Sequence, residues 1–181
     1  MKFYDLNSFY IVSDIKEHQE NKYKLLTYLN RMPHSDINDV NDNIIKTDWN
    51  LNRDTPRDYY DMFYNMISPV LDKMAFKMKH SKWNIDNYWY QIYSKNNTHS
   101  WHGHNKTNWT NVYYLHLENK RAVTQLYDIK EEKIIDDIKV KEGQLLTFPA
   151  HVLHRSPPNE EEGLKVVIAF NCNFEQTTLT F

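Results

Sequence analysis

From Trp83 onward the apolar side chains recur every second residue, in seven short segments at 83–94, 109–117, 122–128, 133–140, 144–148, 151–155 and 164–174. Each is rich in aromatic and β-branched residues and bounded by polar or turn-forming ones, the pattern of half-buried strands. Many short strands leave sheet edges unpaired unless they close on themselves, so the second half of the chain is expected to form an antiparallel sandwich or barrel. All three glycines, at 103, 143 and 163, fall in this half.

The first half has a different period. Leu25, Leu26 and Leu29 stand at helical spacing in the segment 15–31, with Asp14 as a plausible N-cap. The stretch 32–57 is rich in Asn and Asp and lacks a sustained period, so it reads as a loop with a short extended piece at Ile44 and Ile45. Thr55-Pro56 then has the N-cap and N1 arrangement that opens a helix, whose stripe runs through Tyr59, Phe63, Met66, Ile67, Val70, Leu71, Met74 and Met78. Pro69 inside that stripe predicts a kink. The fold class expected is α+β, mainly β, with helices backing the strands.

A chain of 181 residues can bury a core and a polar site without disulfides, and its one cysteine, Cys172, excludes a disulfide framework or a cysteine-rich zinc site. No run approaches the length of a membrane span, and the start MKFYDLNSFYIVSDI lacks a basic head followed by an apolar stretch. A cytoplasmic location without a membrane partner is therefore expected. With 22 basic and 24 acidic side chains interspersed, the net charge is -2, which gives no electrostatic basis for a nucleic-acid partner. Twenty Asn and 13 Tyr against three Gly reflect A/T-rich codons, a bias of compact genomes such as viral ones, in which case the location is the host cytoplasm.

Chemistry concentrates in the histidines. Six of nine lie between 99 and 154, densest in His99-Ser-Trp-His102-Gly-His104. His102 and His104, two apart, share one face of an extended segment and can grip one metal ion. His151 and His154 are available to complete the site, and in a closed barrel the late strand can lie beside the one at His102, which sets His154 against the pair. His18, His34 and His80 lie in the helical half and read as structural.

The order QIYSKNNTHS, WHGH, VYYLHL, EGQLLTFPAHVLHRSPP and LKVVIAFN, spanning Trp89 to Phe174, resembles the double-stranded β-helix core of the iron(II) and 2-oxoglutarate-dependent oxygenases. The likeness is to the prolyl-hydroxylase-like branch and the small phage and marine-bacterial members. It implies a jelly-roll or cupin-like core at 81–181, helical support and a loop at 1–80, and one oxygenase domain over 1–181. The metal ligands it implies are His102, His104 and His154. His104 stands where the family usually has Asp or Glu, so a neutral imidazole replaces an anion and leaves the metal a stronger Lewis acid.

The resemblance further implies Fe(II), 2-oxoglutarate and dioxygen, with ascorbate as reductant in vitro, and a hydroxylase of a peptide or amino-acid side chain whose prime substrate is unidentified. Lys165, 11 residues after His154, takes the place of the cation that binds the far carboxylate of 2-oxoglutarate, and Tyr114 and Tyr93 match tyrosines that contact the keto acid. Lys165, Val167, Ala169 and Asn171 share one strand face, and Thr110, Val112, Tyr114 and His116 another. Without ligand, Lys165 is expected to lean on Tyr114 and water. Arg155 directly follows His154 and therefore points to the opposite face. The segments 32–57, with Thr47-Asp48-Trp49, and 96–101 are expected to border the open end. Two alternatives remain at this point. One is a three-histidine cupin-type dioxygenase that takes no keto acid, such as a thiol dioxygenase. The other is a jelly-roll binding module that stacks sugars on exposed Trp and Tyr.

Overall fold

The computed structural model describes residues 8–176; residues 1–7, half of the N-terminal stretch discussed above, and 177–181 lie outside the described residues. The elements in chain order are β1 (Ile11–Asp14), α1 (His18–Arg31), β2 (Ser35–Asn38), β3 (Asn43–Thr47), α2 (Tyr60–Lys77), β4 (His80–Tyr93), β5 (His99–His102), β6 (Trp109–Leu117), β7 (Gln125–Asp128), β8 (Lys133–Ile135), β9 (Gln144–Pro149), β10 (His154–Ser156) and β11 (Lys165–Gln176). A seven-stranded sheet runs β1-β9-β6-β11-β4-β3-β2, and a four-stranded sheet runs β5-β10-β7-β8. All pairings are antiparallel, and the two sheets face each other as a jelly roll.

The long strand β11 shows why two layers form. Val166, Ile168, Phe170 and Cys172 join Phe63, Ile67, Leu71 and Tyr113 in a core between the helices and the large sheet. Val167, on the opposite face, joins Tyr93, Tyr114, Leu126, Leu146 and Phe148 in a second core between the sheets. Alternation along one strand thus feeds two cores, and the inner one holds the polar residues that matter below.

Several boundaries differ from the pattern reading. The stretch 32–57 contains two strands: β2 pairs with β3, and β3 adds to β4 with Thr47 opposite Gln91. The hairpin turns on Asp39, whose carboxylate accepts the N–H groups of Asn41 and Asp42, a side-chain turn that needs no glycine. Asp14 is no cap; it ends β1 opposite Gln144, whose amide it accepts at 2.7 Å, and α1 begins four residues later. α2 begins at Tyr60 and not at Thr55, because the residues before it are committed to Asp48. That buried carboxylate accepts from Arg57 Nε, the Tyr59 hydroxyl and the Tyr90 N–H, each at 2.8 Å. α2 runs through Pro69, which sits on its exposed face, where the carbonyl left without a donor meets water.

Gly143 needs its φ of +82°, and a Cβ there would stand 2.8 Å from the His18 ring, so the glycine lets α1 press against the turn into β9. Among the described residues no helix is long and apolar enough to cross a membrane.

Candidate metal centre

β5 and β10 place two histidines face to face. His154 is the cross-strand partner of His102, and their ring centroids lie 4.2 Å apart. The next two residues of the chain carry His104 round to the same spot, where its main-chain N–H donates to Ala150 O at 2.8 Å. His104 stands 5.3 Å from His102 and 5.2 Å from His154 by ring centroids. One nitrogen from each ring lies within 4.8 Å of the others, a set that can share one metal ion.

The rings are fixed from behind. His102 Nδ1 donates to Ser100 O at 2.7 Å and His154 Nδ1 to Val152 O at 3.0 Å. A carbonyl can only accept, so both protons are on Nδ1 and both Nε2 lone pairs are available. Burial lowers the pKa of all three rings, and the neighbouring histidines add to this at His154 and at His104, which falls to about 4. They are neutral at pH 7, the state a metal requires. Nε2 of His104 is buried without any partner, an orphan that a metal ion would satisfy. The residues present therefore fit a divalent ion.

His99 is a fourth ring at this place. It stacks on His102 at 4.1 Å and approaches the Gln91 amide at 3.3 Å. His151 is exposed on the turn before β10. His116, expected on the inner face, lies outside it. A bulge sets Val166 opposite His116 but Val167 opposite Tyr114, and the extra residue turns His116 toward Glu142, 3.2 Å away.

Lys165 opens β11 on the inner face, and a cavity lined by His102, His154, Thr110 and Gln91 extends to it. Its ammonium donates to Ser156 Oγ at 2.6 Å and to Ala122 O at 2.7 Å, and sits 4.7 Å above the Tyr93 ring. Tyr114 is not its support, because the Tyr114 hydroxyl donates to Thr124 Oγ1 at 2.8 Å and accepts the Thr124 N–H at 2.9 Å. Burial pushes Lys165 down to about 7. No carboxylate pairs with it among the described residues. Ser156 was legible in principle, since a residue two beyond His154 on a strand shares its face; the Ala122 carbonyl carries no side-chain signal at all. The cavity measures about 30 Å³, room for a water molecule and not for a five-carbon diacid, so a ligand of that size enters only as side chains give way.

Arg155 lies on the outer face, where it donates to Gln125 Oε1 at 2.7 Å and covers the Trp101 ring at 4.8 Å. Near the metal set, Trp89 lies 6.1 Å from His104 and carries the half-exposed Trp49 edge-on at 4.4 Å, so the segment after β3 does border the site.

The fold is that of solved 2-oxoglutarate and iron oxygenases. An oxidoreductase of the 2OG-Fe(II) oxygenase family from Burkholderia pseudomallei superposes with a TM-score of 0.69 at 8% identity, covering 92% of this chain and 88% of its own. The viral collagen prolyl hydroxylase of Paramecium Bursaria Chlorella virus-1, solved as its 2OG complex, gives 0.60 at 13% identity, covering 91% and 95%. The non-heme alpha ketoglutarate dependent epimerase SnoN from nogalamycin biosynthesis gives 0.67 at 12% identity, covering 96% and 83%. No family model and no curated protein matches the sequence.

Proposed function

We propose that the protein is an iron(II)- and 2-oxoglutarate-dependent oxygenase, one domain over 1–181, that hydroxylates a peptide or amino-acid side chain. The observation that carries this reading is Lys165, buried without a carboxylate partner among the described residues, in a cavity that His102 and His154 also line. A buried ammonium of that kind is costly unless a ligand anion completes it. A three-histidine dioxygenase that takes no keto acid has no use for it.

In this reading His102, His104 and His154 hold iron(II) on one face, leaving positions for a chelating keto acid and dioxygen. When bound, iron, 2-oxoglutarate and dioxygen would supply the oxidising power: one oxygen atom would go into succinate as carbon dioxide leaves, and the other into the substrate's C–H bond. The chain's own residues do the positioning. Lys165 binds the distal carboxylate after exchanging Ser156 and Ala122 for it, Tyr93 walls the pocket, and Tyr114 backs it through its bonds to the lining residue Thr124. Trp49 and Trp89 form the wall toward solvent against which the prime substrate rests. The solved neighbours include prolyl hydroxylases and an epimerase, and hydroxylation is the outcome we assign to this chain.

The test is succinate formation from 2-oxoglutarate with Fe²⁺ and ascorbate, with and without peptide substrates. Succinate at a rate above that of H102A supports the reading. Stoichiometric iron binding without any turnover of the keto acid overturns it in favour of the keto-acid-free dioxygenase.

A further inference from the structure

His102 and His154 have no choice of tautomer, but His104 does. Its Nδ1 lies 3.2 Å from the amide nitrogen of Asn171, and the amide oxygen accepts the Thr110 hydroxyl at 3.1 Å. Asn171 and Thr110 are both buried. With the amide set this way Nδ1 of His104 is the acceptor, so the ring proton sits on Nε2, the buried atom left for the metal set. An N–H at that atom cannot ligate.

The two ends of an asparagine amide are nearly equal in shape. Turned by half a revolution, Asn171 presents Oδ1 to an Nδ1–H of His104, and the Nε2 lone pair is released. Its Nδ2 then donates to Thr110 Oγ1, since a hydroxyl accepts as readily as it donates, and the hydroxyl proton turns toward the cavity that Thr110 lines.

We propose that metal loading selects this turned amide, and that Asn171, held by Thr110, is the positioning residue that sets the tautomer of His104. The inference rests on the three-histidine metal reading. It follows from the imidazole at 104: a carboxylate there would have no tautomer to set, so an amide behind it would be dispensable. Asn171 does for His104 what the carbonyls of Ser100 and Val152 do for the other two rings.

Titration of Co²⁺ into the full chain, followed by calorimetry and by the cobalt visible bands, tests this without turnover. N171L, similar in size but unable to accept, should weaken binding by roughly 10–100-fold, the usual effect of losing such an outer partner. N171D, which can only accept, should bind at least as tightly as wild type. In the Zn²⁺-loaded protein labelled with ¹⁵N-histidine, His104 should carry its proton on Nδ1. Wild-type affinity in N171L, while H104A has lost binding, overturns the role of Asn171 and leaves the metal site standing. Wild-type affinity in H104A overturns both. If N171L does not fold, N171D decides alone, and a folded N171D that binds Co²⁺ more weakly than wild type refutes the proposal.

Discussion

His154 and His102 occupy opposed positions on neighbouring strands, so the pairing of β10 with β5 itself brings their rings to 4.2 Å. The distance between them is thus a property of the backbone ladder. His104, beyond the strand end, is held by one main-chain bond to Ala150 and by Asn171.

Each of H102A, H104A and H154A should abolish stoichiometric Mn²⁺ or Fe²⁺ binding, because two imidazoles make a poor site. H151A is the control, its side chain being exposed on the turn. Equilibrium dialysis with metal analysis checks this, and retention of one equivalent of metal by H104A would remove it from the ligand set. His99 is unsuited as a control, because its ring packs on His102.

Converting His104 to Asp restores an anionic ligand, and H104D should still bind Fe²⁺ if position 104 is a ligand position. The shorter side chain draws away from Asn171, so turnover can change in either direction. A folded H104D that binds no metal at neutral pH would place the third ligand elsewhere.

The β core was legible because its long strands are runs of aromatic and β-branched residues, as in β6 and β11, whose two faces feed the two cores. The hairpin β2–β3 was not. Ser35–Asn38 is almost wholly polar, and as an edge pair it buries mainly Ile37 and Ile44, too little to set a period. The grouping of His102 with His104 was readable from their i, i+2 spacing, since side chains two apart on an extended chain share a face. What sequence spacing cannot reveal are partners reached through main-chain atoms or a bulge. The Ala122 carbonyl under Lys165 and the reversal of His116 are both of that kind.

Asp48 ties the start of α2 to β4 through three hydrogen bonds from Arg57, Tyr59 and Tyr90. D48A strands the Arg57 guanidinium, which is nearly buried, and should cost about 3–5 kcal/mol, as breaking a buried pair usually does. D48N retains an acceptor for Tyr59 and should cost less. Thermal unfolding distinguishes them, and equal midpoints for D48A and wild type would show the clamp to be idle.

Lys165 makes the strongest pH prediction. Its folded value of about 7 lies below the 10.5 of an exposed lysine, so across that interval the unfolded chain holds a proton that the folded protein lacks. Stability of the ligand-free protein therefore rises with pH from about 7 to 10.5, and this contribution is lost as pH falls back through the window. K165M removes the slope and should be more stable than wild type at pH 7, since a methionine fills the space without a charge to bury. Ligand binding has the opposite sign. A carboxylate favours the ammonium, so above pH 7 each 2-oxoglutarate bound takes up one proton, and affinity should fall about tenfold per pH unit. K165M should lose this dependence and about a hundredfold in affinity at pH 7, roughly the 3 kcal/mol of an unpaired buried charge, while metal binding survives. R155A, on the outer face, should change affinity little. Anaerobic titration of the Fe²⁺ protein at several pH values, read in the metal-to-ligand charge-transfer band, measures both effects. A wild-type affinity that is flat from pH 7 to 9 would remove Lys165 as the anchor.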